Sequence, residues 1–243
     1  MKRISLDVIN STNEYAKTLS DREGKELTLV TAEYQEAGRG AGTNLWESEH
    51  GKNLLFSIIA FPLHLPANQV FTLSEVTALS ICDVLNSYTK GFQIKWPNDI
   101  YFGDKKVVGM LIENDLQGKF VRRSIIGVGI NINQTVFCSD APNPASLAQI
   151  IGREEERSQV LDKIMQQFTH YYGIMNNEPL LELHDLYMQH LYRKDTFHTY
   201  ADENGTFQAR ISDVEPSGHL VLECENQELR RYAFKEVSFI IEH

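Results

Sequence analysis

The chain has 243 residues, 42% hydrophobic and 23% charged, enough for one large domain or one domain with a small appendage, and too apolar for long disorder. Its 23 Lys+Arg against 33 Asp+Glu leave a formal charge of −10, which argues against wrapping duplex DNA, because that affinity comes from neutralising phosphates. Cys82, Cys138 and Cys224 are scattered and odd in number. They form neither a disulfide framework nor a zinc spacing, so a reducing, cytoplasmic setting is expected. The N-terminus has two basic residues but no apolar stretch, unlike a signal peptide. The apolar run from Leu54 to Leu63 is broken by Ser57 and Pro62 and is too short to cross a bilayer, so no membrane partner is expected.

In chain order, Ser11-Thr12-Asn13-Glu14 fits a capping box ahead of a short stripe of Tyr15, Ala16 and Leu19. Leu27 to Thr31 reads as a strand, and Asn53 to Pro62 as a second one buried on both faces. Val70 to Tyr88 has apolar residues at a noisy helical period. Phe92 to Trp96, Ile100 to Phe102, Lys106 to Glu113 and Phe120 to Asn131 read as strands of an antiparallel meander, with turns at Gly103-Asp104 and Gln117-Gly118-Lys119. Val160, Leu161, Ile164, Phe168, Tyr171 and Met175 mark an amphipathic helix, and Pro179 starts another. From about Arg193 short strands return, separated by Asn204-Gly205 and Pro216-Ser217-Gly218, the pattern of a small β-barrel. The fold class is α+β: residues 1–192 form a mixed or antiparallel sheet domain with flanking helices, and residues 193–243 a C-terminal β domain.

Three stretches carry candidate chemistry. Gln35-Glu36-Ala37-Gly38-Arg39-Gly40-Ala41-Gly42 leads to Trp46. Its glycines let backbone N–H groups converge on an anion, and Arg39 adds a fork of donors; a flexible surface loop is the alternative. It is neither a phosphate loop ending in Gly-Lys-Ser/Thr nor a dinucleotide fingerprint. Lys95-Trp96-Pro97-Asn98-Asp99, with Lys106 seven residues on, sets two cations and a carboxylate across a hairpin. That set could neutralise a phosphate and hold Mg²⁺; the alternative is an ordinary surface pair. Gly127-Val128-Gly129-Ile130-Asn131 fits a strand over which a flat ligand lies, or simply a tightly packed one. Trp46 and Trp96 are core residues or platforms for a ring. The histidines show no metal spacing, and His50 and the run Glu154-Glu155-Glu156 read as bystanders. Arg230, Arg231 and Lys235 read as a solvated strand edge, with phosphate contact as the alternative.

Together, Ser11-Thr12-Asn13, Gly38-Arg39-Gly40 with Trp46, Gly51-Lys52-Asn53-Leu54, Lys95-Trp96-Pro97-Asn98-Asp99, Lys106 with Gly109, and Gly127-Val128-Gly129-Ile130-Asn131 resemble the biotin–protein ligases in order and spacing, over almost the whole chain. The resemblance implies a class II aminoacyl-tRNA-synthetase-like catalytic domain with a C-terminal SH3-like barrel. It implies activation of biotin with ATP and Mg²⁺ to biotinyl-5′-AMP, then transfer to a lysine of a biotin carboxyl carrier domain. On that resemblance Ser11, Thr12, Asn13, Gln35, Gly38, Gly40, Gly109, Gly127 and Gly129 would bind biotin. Arg39 would hold its carboxylate and the phosphate. Lys95 and Lys106 would stabilise phosphate charge, Lys106 also touching biotin. Asp99 would bind Mg²⁺ or orient the incoming lysine, and Trp46 and Asn131 would contact adenine.

Two departures from the family pattern stand out. Where the family's loop often carries more basic residues, this chain has Ala41, Gly42, Thr43 and Asn44, so a looser clamp on the adenylate is expected. The Ser-Thr-Asn segment begins at residue 11, leaving no room for the helix-turn-helix domain of some members, so no specific DNA binding is expected. A monomer and a homodimer are both compatible with the sequence. The rival readings are a lipoate or octanoate ligase, a non-catalytic biotin sensor, and an adenylate-forming enzyme for another carboxylate.

Overall fold

The computed structural model describes residues 1–19, 25–40, 42, 44–138, 143–177 and 180–241. Its larger sheet contains seven strands: β1 (Lys2–Ile9), β2 (Thr28–Gln35), β3 (Leu54–Ala60), β4 (Phe92–Lys95), β5 (Asp99–Phe102), β6 (Lys105–Gln117) and β7 (Phe120–Ile130). They lie in the order β1-β2-β3-β7-β6-β5-β4. β1 pairs with β2 in parallel and every other pair is antiparallel, so the sheet is mixed. The meander over β4 to β7 is as expected from the tight turns, with Gly103 and Gly118 in the left-handed region their turns require.

β3 is an interior strand between β2 and β7, and each of its residues is buried. Its side chains alternate between two apolar layers. Leu54, Phe56 and Ile58 join the main core, while Ile59 packs with Val30, Ile125 and Ala16 on the other face. Ala16 belongs to α1 (Thr12–Thr18), and α2 (Thr72–Tyr88) covers the main face. α2 is itself covered by α4 (Arg157–Asn177) and α5 (Leu181–Gln189). A helix packed on both sides buries residues around most of its circumference, which explains the noise in its apolar period. Pro179, the expected start of α5, lies outside the described residues.

Two elements were not legible in the sequence. β1 is an edge strand whose only inward apolar residues, Ile4 and Leu6, are partly buried. α3 (Leu147–Ile151) is only a turn and a half long. It carries a capping box: Gln149 N donates to Ser146 Oγ at 3.2 Å, and Ser146 N donates to Gln149 Oε1 at 3.0 Å. The capping box expected at Ser11 is absent, because Ser11 makes no side-chain cap bond and Glu14 pairs with cations instead.

The C-terminal strands β8 (His198–Asp202), β9 (Gly205–Val214), β10 (Leu220–Cys224), β11 (Leu229–Tyr232) and β12 (Ser238–Phe239) form an antiparallel sheet in the order β11-β10-β9-β8-β12. It is not a loose appendage. Tyr200, Ala209, Leu220 and Leu222 belong to the same apolar cluster as Ile94 and Leu79. Trp96 Nε1 donates to Gly218 O at 3.0 Å across the junction. Among the described residues no helix is long and apolar enough to cross a membrane. Cys82, Cys138 and Cys224 are free thiols.

His184 on α5 ties these parts together. Its Nδ1 lies 2.8 Å from the buried Glu75 of α2 and its Nε2 lies 2.9 Å from Asp213 of β9. The Glu75 hydrogen bond, with Asp213 adding to it against desolvation, pushes the imidazole pKa up to about 9. A folded-state pKa raised in this way adds stability that is complete below the unfolded value of about 6.5 and is lost as pH rises through the folded value. Denaturant titrations from pH 6 to 10 are expected to show stability falling between those limits. His184→Ala should flatten that slope and cost about 3 kcal/mol at pH 6, since it leaves Glu75 buried without its cation. An unchanged slope in the variant would sink this account.

Candidate active site

A cleft of about 210 Å³ opens over the paired strands β6 and β7. Its floor is made of glycine. Gly109 of β6 lies opposite Gly129 of β7 in the register, and Gly127 is two residues further along the same face. A Cβ on Gly129 would lie 2.3 Å from the Trp46 indole, and one on Gly109 would lie 2.7 Å from it. A Cβ on Gly127 would lie 2.3 Å from Asn13 Oδ1. Without side chains here, Trp46 and Asn13 come down onto the backbone of the sheet.

One end of the cleft is lined by uncharged polar side chains, Ser11, Thr12, Asn13 and Gln35. Thr12 donates to Gln35 Oε1 through both its backbone N, at 2.7 Å, and its hydroxyl, at 3.0 Å. Ser57 Oγ lies 2.8 Å from Thr12 Oγ1 and 2.6 Å from Asn13 Oδ1. Asn13 Nδ2 donates to Glu113 Oε2 at 3.0 Å and to Leu111 O at 3.2 Å. Ser57 supports this end from beneath the lining, a role the sequence reading did not assign. Its signal was in plain view: it is the lone hydroxyl in an otherwise apolar interior strand, where an unbonded hydroxyl would be costly.

The other end is cationic. Lys106 Nζ lies 2.7 Å from Asp99 Oδ1 and 5.9 Å from the Trp46 ring. Lys95 has no hydrogen-bond or ion-pair partner among the described residues. Its ammonium instead rests 4.5 Å above the Phe239 ring and 5.3 Å from the Tyr101 ring. Burial holds its pKa below the ordinary lysine range, with the Asp99 charge opposing that and Lys106 and Arg193 adding to it. Asp99 is the single carboxylate among the described residues that line the cleft. Among the described residues no three His, Cys, Asp or Glu side chains cluster as metal ligands.

The glycine loop closes the cleft as a narrow hairpin, held by Trp46 N donating to Gly38 O at 2.9 Å and Gly40 N donating to Asn44 O at 2.8 Å. Arg39 pairs with Glu14. Glu14 and Glu113 both pair with Lys17, each at 2.8 Å. The loop cation is thus neutralised by a carboxylate of α1, a partner the sequence reading had assigned to helix capping. Ala41 and Thr43 lie outside the described residues.

The structure brings together on this cleft Ser11, Thr12, Asn13 and Gln35, then Arg39, Gly40 and Trp46, then Lys95, Asp99 and Lys106, over the floor of Gly109, Gly127 and Gly129. Gly38 and Asn131 stand outside the lining. Gly38 packs behind Trp46, where a Cβ would meet the Trp46 carbonyl at 2.7 Å. Asn131 is buried at the end of β7 and donates to Ala145 O at 3.2 Å, with its Oδ1 unpartnered. Phe234 also reaches the cleft, from the C-terminal sheet; a lone phenylalanine in a polar turn gave no signal.

Residues 5–131 match the model of the Biotin/lipoate A/B protein ligase family. The chain belongs to this family. It is 32% identical over 226 residues to the bifunctional ligase/repressor BirA of Bacillus spizizenii, covering 90% of this chain and 68% of that one. It is 26% identical over 251 residues to a biotin–protein ligase of Schizosaccharomyces pombe, covering 90% of this chain and 38% of that one. Its fold is that of the biotin protein ligase of Aquifex aeolicus in complex with biotin and ATP, with a TM-score of 0.79, 24% identity and 99% of each chain covered.

The glycine floor makes a direct prediction for this family member. Gly129→Ala should displace Trp46 and destabilise the protein by about 1–3 kcal/mol, as overpacking does. Trp46 Nε1 is buried and unpartnered, so its release to water should red-shift the fluorescence. The shift should vanish when Gly129→Ala is made on a Trp46→Phe background, which leaves Trp96 as the only tryptophan. No shift in the first variant would contradict the contact.

Proposed function

We propose that this chain activates biotin with ATP to form biotinyl-5′-AMP and pyrophosphate, and then transfers the biotinyl group to a lysine of a biotin carboxyl carrier domain. The observation that carries the reading is one cleft with two chemically opposed ends over one glycine floor. The polar end, lined by Ser11, Thr12, Asn13 and Gln35, offers paired donors and acceptors of the kind a ureido ring needs. A lipoyl or octanoyl tail would want apolar walls there. The cationic end suits a reaction that brings a carboxylate and a polyphosphate together. The Bacillus relative is a ligase as well as a repressor, and the Aquifex structure holds biotin and ATP, which supports the same reading.

In this reading a biotin carboxylate oxygen attacks the α-phosphorus, and the bond to the β-phosphate oxygen breaks. Arg39 exchanges Glu14 for the incoming anion, so the loop cation is charge-balanced before and after binding. Lys95 faces the phosphoryl group as a bare ammonium, and Lys106 shares charge between Asp99 and the phosphate. Trp46 covers the product, and Asn131 supports the adenine end from beneath. In the second half-reaction the acceptor amine attacks the mixed anhydride and AMP leaves. Asp99 fits Mg²⁺ as the one carboxylate among the described residues lining the cleft: Mg²⁺ needs few protein ligands when phosphates supply the rest, and the metal would share the carboxylate with Lys106, now 2.7 Å from its Oδ1. When bound there it would neutralise charge on the phosphates.

We assign residues 1–192 to the catalytic domain and 193–243 to a C-terminal domain. Five antiparallel strands over 198–239 suit an SH3-like barrel.

The test is ATP–pyrophosphate exchange with Mg²⁺. Exchange should depend on biotin, be absent with lipoate, and fall by about 10²-fold or more in Lys95→Ala, the scale for losing one preorganised charge contact. No exchange with either acid from folded protein would reject the reading. A second outcome concerns pH. The alkaline limb of kcat/KM should lie below the ordinary lysine range, because burial depresses Lys95. In Asp99→Asn the limb should move to still lower pH, because the charge that opposes the depression is gone. A shift to higher pH would be inconsistent with Lys95 as the titrating group.

A further inference from the structure

The cleft does not end at Lys95. A second hollow, of about 510 Å³, opens beyond it and shares Asn44, Lys95, Pro97 and Phe234 with the first. Its far wall belongs to the C-terminal sheet, chiefly Lys235 and Phe239. Among the described residues no carboxylate lines this hollow, in a chain with 33 Asp+Glu. It holds two ammonium groups, and neither has a hydrogen-bond or ion-pair partner among the described residues. By contrast, the nearby Arg230 and Arg231 are paired with Glu228 and Glu215. They are the solvated edge the sequence suggests; Lys235 is exposed too, but unlike them it has no carboxylate partner among the described residues.

The Lys235 backbone is also constrained. Its backbone has φ +72°, in the left-handed region, which costs a non-glycine residue about 1 kcal/mol or more. Its Nζ lies 2.2 Å from where a Cβ on Gly42 would stand. The ammonium therefore rests against the backbone of the glycine loop, close to the position of a missing side chain. A cationic recess without carboxylates, continuous with the Lys95 end of the cleft and capped by a glycine loop, fits a polyphosphate anion.

We propose that Lys235 is a substrate-binding residue for the β- and γ-phosphates of ATP, and so holds the pyrophosphate as it leaves. The proposal rests on reading the cleft as an adenylation site. As the biotin carboxylate forms its bond to the α-phosphorus, the electrons of the breaking P–O bond pass to the β-phosphate oxygen. The added negative charge on pyrophosphate develops next to Lys235. Lys235 thus contributes to the first half-reaction and not to the second, in which no pyrophosphate takes part.

The experiment compares wild type, Lys235→Gly and Lys235→Arg as full chains with Mg²⁺. Glycine suits the left-handed backbone, so Lys235→Gly removes the cation without straining the fold, and its thermal midpoint should not fall. In biotin-dependent exchange, KM for both ATP and pyrophosphate should rise about tenfold in Lys235→Gly and return to within about threefold of wild type in Lys235→Arg. The affinity for biotin alone should not change. Single-turnover transfer from synthetic biotinyl-5′-AMP to a carrier domain should not change either. If wild type exchanges and Lys235→Gly keeps both KM values within twofold, the proposal is overturned. It is equally overturned if transfer from the preformed adenylate falls as much as exchange does, since the lysine would then serve the acceptor or the fold. If wild type shows no exchange at all, the reading of the whole cleft fails and this proposal fails with it.

Discussion

The site depends on a place where side chains are missing. Gly109, Gly127 and Gly129 strip one patch of the β6–β7 pair down to backbone, and the indole and the asparagine above it come closer than any Cβ would permit. Strand glycines normally weaken a sheet, having nothing to pack and more entropy to lose. Here the loss is offset by β3 and the long β6–β7 ladder around them, with β3 buried along its full length. A rigid, heavily paired sheet can tolerate a bare patch, and the bare patch makes a shallow floor on which flat groups can lie.

The second organising constraint is charge. The chain is acidic overall, yet cations collect around one cleft, and each is held differently. Arg39 is held by Glu14, Lys106 by Asp99, and Lys95 by aromatic faces alone. These holds differ in how easily an incoming anion displaces them. An exposed ion pair is worth about 1 kcal/mol or less, so Arg39 is readily exchanged. Lys95 has no anion to give up, and its burial makes it the group most strengthened by a phosphate.

Much of this was legible in the sequence, and the failures have physical reasons. The meander of β4 to β7 and the helix α4 were readable because turns and apolar spacing agreed locally. The glycine loop, the Lys95–Asp99 run and the Gly127–Asn131 strand stood out as candidates, each beside a plain structural alternative, and the fold brings residues of all three to one cleft. β1 was missed because an edge strand needs only weak alternation. Glu14 was misread because a carboxylate three residues after a serine fits a local motif, while its true partners lie at Arg39 and Lys17. Phe234 joins the site through tertiary contact alone, and no local pattern announces such a partner. Asn131 stands behind the cleft lining and donates to Ala145 O, a placement that no local pattern announces.

The junction between the two sheets has a consequence for how the molecule comes apart. Their apolar residues form one continuous cluster, and a histidine, a tryptophan and Phe234 cross the boundary. Parts that share a core have no independent unfolding step, because opening either one exposes the apolar surface of the other. The slowest-exchanging amide protons of the C-terminal strands therefore report the same global opening as those of β3. The floor of the cleft and the strands that reach over it persist together or are lost together.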